Sequence, residues 1–274
     1  MSREVIDGKQ ISVKLRSRNP KIEFDRLQMY FGDPYVIDLE DATGSLTIYE
    51  PSIGDIVRIG EAKFYETLNV YITNTTANKL MLWENGIDWC DMSDYELFSA
   101  LIDNSDPEVN KLFFGDLDIK GFERVAKQVG ETKIITLYNK DADVEISESV
   151  YFHISQYIRT MFNMFPEEKI TKSSVLKKWY IESDKRAAKR EESQKDKSSH
   201  SMQALISTYI NHPGTKYKLK DLKEVGVSEF YDSVQRLKIY ESATACMKGM
   251  YSGLLDGKSI KPEDYDFMKD IERG

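Results

Sequence analysis

Ser147-Glu148-Ser149-Val150-Tyr151-Phe152-His153-Ile154-Ser155-Gln156-Tyr157-Ile158-Arg159-Thr160-Met161-Phe162 carries its apolar residues at helical intervals. Val150, Ile154, Tyr157, Ile158 and Met161 recur three or four positions apart and so share one face, the face a helix buries. Ser147 or Glu148 starts this helix and Phe162 ends it. Downstream, a further helix is expected from about Ser173 into a charged tract ending near Lys197. Upstream, Phe122 to Gln128 and Thr132 to Tyr138 flank Val129-Gly130-Glu131 and predict a β-hairpin.

The same mixture runs toward the N-terminus. Ile11, Val13 and Leu15 alternate as an edge strand would. Tyr35 to Leu39 and Ser45 to Tyr49, separated by Glu40-Asp41-Ala42-Thr43-Gly44, predict a second hairpin. Pro51 opens a helical pattern in which Ile53, Ile56, Val57, Phe64, Leu68, Tyr71 and Ile72 lie on one face, with Gly54 and Gly60 weakening its start. Asn78 to Glu84 predicts a short helical turn ending at Gly86. Ser93 followed by Glu96 forms a capping box ahead of Leu97, Phe98 and Leu101. Phe113 to Phe122 is a short apolar segment broken by glycines.

Beyond residue 201 the pattern is helical throughout. Met202 to Ile210 is stopped by His212-Pro213-Gly214, and Leu219 to Val225 by Gly226. Ser228 is expected to cap a long helix with the stripe Phe230, Tyr231, Val234, Leu237, Tyr240, Met247, Met250 and Tyr251, ending at Gly253. Pro262 opens a final helix carrying Tyr265, Phe267, Met268 and Ile271. The fold class expected is α+β, predominantly α-helical, with small hairpins in an N-terminal unit (1–186), a charged connector without apolar period (187–201) and a helical C-terminal subdomain (202–274). No internal repeat is visible.

Composition narrows the function classes. The chain has 274 residues, which suggests one large or two modest domains at roughly 100–200 residues each. With 41% hydrophobic and 31% charged residues it can build a core, which excludes wholesale disorder. No window approaches a membrane span, and Met1 to Gln10 has no apolar signal core. Cys90 and Cys246 are far apart and belong to no Cys-x-x-Cys, so neither a disulfide framework nor a thiolate zinc site is expected. These features predict a soluble protein of a reducing compartment.

Net charge is -8, and it is unevenly spread. Between Glu84 and Asp118 stand ten acids and one base, Lys111, while Lys177 to Lys197 holds eight bases and five acids. An acidic middle disfavours a broad nucleic-acid surface, because a polyanion is repelled. Both tracts read as solvated faces, or alternatively as a docking surface for a basic or aggregation-prone partner.

Catalytic and ligand motifs fail one after another. His153, His200 and His212 have no metal-ligand spacing. Asp116-Leu117-Asp118 and Asp91-Met92-Ser93-Asp94 do not extend to a calcium loop. There is no phosphate-binding glycine loop. Ser174-Val175-Leu176-Lys177 matches a bare Ser-x-x-Lys pattern without the companion elements that give it meaning. No catalytic residue, cofactor or metal site is expected, and the chain is read as non-enzymatic. Leu219 to Ser228 has a helix-turn-helix cadence. The recognition positions, however, read Glu229-Phe230-Tyr231-Asp232, and Gln235 and Arg236 come two turns late, so DNA reading is not favoured. Trp83 and Trp89 flank Glu84 to Asp88. They read as a tight turn whose tryptophans fill a core; if the chain carries a partner-binding patch, its residues are Trp83, Trp89, Asp91, Asp94 and Tyr95.

Several segments together carry a resemblance. They are Pro51 to Ile56 leading to Phe64-Tyr65, Leu82-Trp83-Glu84-Asn85-Gly86-Ile87-Asp88-Trp89, Leu112 to Asp118, Phe230 to Leu237, and Gly249 to Gly253. With these the chain resembles tail-cluster proteins of tailed bacteriophages of Gram-positive hosts, in particular the tail assembly chaperone class. The resemblance implies an acidic, mainly helical protein of the host cytoplasm that binds tape-measure and tail-tube subunits during morphogenesis, with homo-oligomerisation possible and no cofactor. The alternative it leaves open is a structural virion protein of the tail, connector or baseplate. A third is a DNA-associated phage regulator using the C-terminal helices, where Arg236 would matter.

Overall fold

Local capping chemistry sets most of the element boundaries. The computed structural model describes residues 2–6, 9–13, 22–39, 45–129, 132–193, 202–257 and 260–271. Strands β1 (Ser2–Ile6) and β2 (Lys9–Val13) pair antiparallel; Leu15 lies outside the described residues. Asp25 caps the short helix α1 (Arg26–Tyr30), its carboxylate accepting the Leu27 and Gln28 N–H groups. Strands β3 (Tyr35–Asp38) and β4 (Ser45–Ile48) form the expected hairpin with Tyr35 opposite Ile48, while its turn lies outside the described residues.

The helix expected from Pro51 to Ile72 is two helices, α2 (Ile53–Ile59) and α3 (Glu61–Ile72). Gly60 separates them at φ +102°, a conformation that favours glycine and cannot continue a helix. Ser52 and Asp55 form a capping box on α2. Helix α4 (Lys79–Glu84) stops at Gly86 (φ +76°), and α5 (Asp94–Leu101) starts on the Ser93–Glu96 box, both as read from sequence. Helix α6 (Pro107–Phe114) was not expected. Asp106 caps it, Pro107 takes its first position, and Gly115 at φ +62° ends it.

Strands β5 (Glu123–Val129) and β6 (Thr132–Asn139) make the second expected hairpin, and a third strand, β7 (Val144–Ile146), joins β6. Helix α7 (Glu148–Phe162) is capped by the Ser147 hydroxyl and ends on Asn163 in the left-handed region. Then come α8 (Ser174–Ser193), α9 (Met202–Ile210), α10 (Val227–Tyr251) and the single turn α11 (Pro262–Tyr265). The expected helix Leu219 to Val225 is only a 3-10 turn at Asp221–Lys223. The final helix is shorter than expected, since Phe267, Met268 and Ile271 follow it as a strap. The protein is α+β and predominantly helical, with three small antiparallel sheets among the described residues.

Helix α7 sits at the centre. Ile154, Tyr157, Ile158, Met161 and Phe162 pack with Phe64, Leu68 and Tyr71 of α3, with Ile37, Leu46 and Ile48 of the β3–β4 hairpin, and with Val227, Phe230 and Val234 of α10. One core therefore draws residues from both sides of the tract 187–201, where residues 194–201 lie outside the described set. Each fully buried Phe, Leu or Ile contributes about 1.5–3 kcal/mol relative to exposure. Arg159, on the same helix, is buried although it is a cation. Its guanidinium donates to the carbonyls of Ile72 (2.8 Å) and Thr73 (2.7 Å), closing the C-terminal end of α3.

The start of α10 is clipped to the segment before α2. The Ile53 N–H donates to the Val225 carbonyl (2.9 Å), and the Val227 N–H to the Pro51 carbonyl (3.1 Å). This approach depends on two glycines. A Cβ on Gly54 would stand 2.5 Å from the Lys223 carbonyl oxygen, and one on Gly226 would stand 2.7 Å from the Glu50 carboxylate. Ser228 does not cap α10 as expected. Gly226 holds the cap position, and the half-buried Glu50 carboxylate accepts the Ser228 N–H. Burial pushes the Glu50 carboxyl above its usual range, and the Ser228 N–H opposes that rise.

Candidate docking surface

The tryptophan turn is the first place to test for a binding patch. Trp89 is 0% exposed; its indole N–H donates to the Lys169 carbonyl (2.9 Å), and its ring meets Trp83 edge-on at 5.9 Å. Asp94 is buried and accepts the Thr75 N–H (2.9 Å). The Tyr95 hydroxyl donates to the Ile146 carbonyl (2.6 Å) and accepts the Leu137 N–H (3.1 Å), and burial pushes its pKa up to about 12. The expected patch of Trp83, Trp89, Asp91, Asp94 and Tyr95 is therefore corrected: three of its members face inward. Trp89 is buried by a second small core in which Leu82, Trp89 and Leu97 pack against Tyr180 and Ile181 of α8, whereas Tyr95 belongs to the main core; Trp83 is half-buried and Asp91 exposed.

The acidic run 84–118 is likewise absorbed into the fold. Asp88 pairs with Lys177 (2.5 Å), Asp103 with Arg124 (3.1 Å), Asp116 with Lys111 (3.2 Å), and Asp106 and Glu108 both with Lys63 (3.2 and 2.5 Å). Glu96 and Asp118 bond the backbone N–H groups of Ser93 and Lys120. Among the described residues no side-chain hydrogen bond or ion pair is made by Glu84 or Asp91, although the Asp91 N–H donates to the Asp88 carbonyl (3.0 Å) and its charge adds to the Asp88 bond in raising Lys177. Charge compensation comes from Lys111 within the tract and from Lys63, Arg124 and Lys177 outside it, so the tract is not a uniform acidic face.

The remaining sequence motifs have structural partners. Lys177, of the Ser-x-x-Lys pattern, is held by Asp88. His153 meets the Tyr35 hydroxyl at Nδ1 (2.8 Å), and His212 lies 3.2 Å from Glu241, while His200 is outside the described residues. No group of three or more His, Cys, Asp or Glu converges among the described residues. At the expected recognition positions Phe230 is buried, the Tyr231 hydroxyl meets that of Tyr65 (2.6 Å), and Glu229 accepts from Tyr217. Arg236 donates to the carbonyls of Phe267 (3.3 Å) and Lys269 (2.8 Å), so it ties down the C-terminal strap.

No family model, curated protein or solved structure matches this chain. The surface itself must point to a role, and the second half of α10 stands out. After Val234, Ala243 is the single fully buried residue of this helix. Tyr240 meets Phe267 edge-on at 6.3 Å, both rings remaining half open to solvent. At the helix end Tyr251 is 88% exposed, Leu254 83% and, on the strap, Met268 75%. The chain reverses at Gly253 (φ +71°), and Leu255 folds back over Gly249, its N–H bonding the Gly249 carbonyl (3.1 Å). Tyr240 and Tyr251 belong to the apolar stripe expected of this helix and yet are exposed, because apolar spacing shows a face without showing what covers that face. Among the described residues no helix is long and apolar enough to cross a membrane.

Proposed function

We propose that the chain is a non-catalytic protein-binding factor, a tail assembly chaperone that holds an apolar stretch of tape-measure or tail-tube protein on the free half of α10. One observation carries this reading: Tyr240, Tyr251 and Leu254, with Phe267 and Met268 of the strap, remain exposed on a helix whose other half is anchored in the core. Exposed apolar side chains of this size mark sites that bury against another molecule. Methionines at positions 247, 250 and 268 adapt to varied apolar partners. An amphipathic helix laid along this surface would have its stripe shielded, and the net charge of -8 would keep the complex in solution.

Co-expression with the tape-measure and tail-tube proteins tests the reading. Capture of either by the wild-type chain, at least tenfold reduced by Tyr251→Asp with Leu254→Asp, is expected. Absence of capture of both clients contradicts it. Quantitative mass spectrometry of lysate and purified particles adds a second criterion: an assembly factor is abundant in lysate and missing from virions, whereas a fixed copy number in particles would make the chain a structural component.

A further inference from the structure

Strand β5 is the outer strand of its sheet. It pairs with β6 alone, and among the described residues its other edge has no ladder partner. Alternation sorts the side chains of the two strands onto two faces. One face carries Glu123, Val125 and Lys127 opposite Tyr138, Thr136 and Ile134. The other carries Arg124 and Ala126 opposite Leu137 and Ile135, and it is the face that Leu137 and Ile146 bury in the main core. Two residues from Leu137 this face runs out past the core: Ile135 is 57% exposed, and Ala126 opposite it is exposed too. An uncovered strand edge recruits a further strand by main-chain hydrogen bonding, and charged side chains are the usual guard against it.

The charges on β5 do not guard it against its own copy. When two antiparallel copies meet across a twofold axis, the residue on the axis fixes every facing pair. With Arg124 or Lys127 on the axis, like charges meet. With Ala126 there, Val125 faces Lys127 and Arg124 faces Gln128. With Val125 there, Glu123 of each copy faces Lys127 of the other, so opposite charges meet twice. Both side chains are exposed, and their even spacing keeps them on one face. Glu123 makes no side-chain hydrogen bond or ion pair among the described residues, whereas Lys127 holds Glu145 of its own sheet and would stand between two carboxylates. In the same register Ala126 faces Arg124 of the second copy, a residue whose guanidinium bonds Ser99 and Asp103 within its own chain. The overhanging row of Ala126 and Ile135 thereby continues into the core face of that copy. We infer that the open edge of β5 pairs with β5 of a second copy, with Val125 on the twofold axis, and joins two three-stranded sheets into one. The inference does not use the free half of α10, so its failure leaves the client reading untouched.

Sedimentation of the full chain across a concentration series tests the inference, together with hydrogen exchange on the β5 amides. The expected result is a monomer–dimer equilibrium with a dissociation constant on the order of 10 μM. Glu123→Lys and Lys127→Glu each turn two attractive contacts into two repulsive ones, and each is expected to weaken the dimer at least tenfold. Mixing the two variants restores attraction at both contacts and gives a heterodimer, an outcome that misfolding cannot produce. The β5 amides that point away from β6 gain protection only in the dimer. A chain that stays monomeric at roughly 100 μM overturns the inference, as does a dimer insensitive to Glu123→Lys or a mixture that fails to form the heterodimer. Protection of those outward amides in the monomer would mean that the chain covers its own edge, and would also overturn it.

Discussion

The two halves of α10 share a helix and little else. In the first, Val227, Phe230 and Val234 lie in the main core, two backbone hydrogen bonds clip the entry to residues 51–53, and Glu50 holds the Ser228 N–H. In the second, Ala243 alone is fully buried, and the large side chains at 240 and 251 face solvent. Helical propensity is not what separates them, since both halves are regular helix. Tertiary partners separate them: a helix can be rigidly rooted and still extend an apolar surface that the strap covers only in part, which suits a docking arm better than a mobile loop does.

That contrast can be broken from the rooted side. Phe230→Ala removes a fully buried ring and is expected to cost about 3–5 kcal/mol, read by denaturant unfolding. Gly54→Ala comes next. In an exposed helix this change is stabilising, but here the new Cβ meets a backbone oxygen at 2.5 Å. A loss of about 1–3 kcal/mol is expected. Gly226→Ala, facing the Glu50 carboxylate at 2.7 Å, should behave similarly, with a smaller loss where the carboxylate can shift.

Alkaline titration sharpens the comparison from another direction. Burial raises the hydroxyls of Tyr71, Tyr95, Tyr151, Tyr157 and Tyr231 above their usual range. The folded values lie above the unfolded one near 10, so the unfolded chain loses these protons first. The stability they give is present below about pH 10 and is lost as pH rises through the folded values. Absorbance at 295 nm should show two classes of tyrosine: exposed ones such as Tyr251 ionising freely, and a buried class ionising together with unfolding. The smallest effect belongs to the arm. Tyr251→Asp should change stability by no more than about 0.5 kcal/mol while reducing client capture at least tenfold, measured by unfolding and pull-down on the same preparation.

Sequence made much of the fold legible where structure is local. The Ser93–Glu96 box, the stripe of α7 and both β-hairpins follow from spacing and capping chemistry alone. Helix α6 was legible in principle, since Asp106-Pro107 is a strong start signal and Gly115 a stop, but its last two residues, Phe113 and Phe114, equally resemble the start of the glycine-broken apolar segment that runs to Phe122. Tertiary contacts hid the rest. Ser228 looks like a cap until Glu50 is brought to it from 178 positions away, and Gly54 looks like a weak helical residue until Lys223 lies against it. The site was less legible than the fold. Trp89 and Tyr95 have the composition of a hot spot, yet α8 and β7 supply the partners that bury them, whereas the exposed end of α10 reads as an ordinary buried stripe.

Hydrogen exchange along α10, with and without tape-measure protein, tests the central claim most directly. The account predicts that protection rises on residues 240–255 and on the strap at 265–269, while residues 227–234, already locked in the core, do not change. Unchanged exchange at 240–255 in the presence of bound client, with protection arising elsewhere, would contradict it.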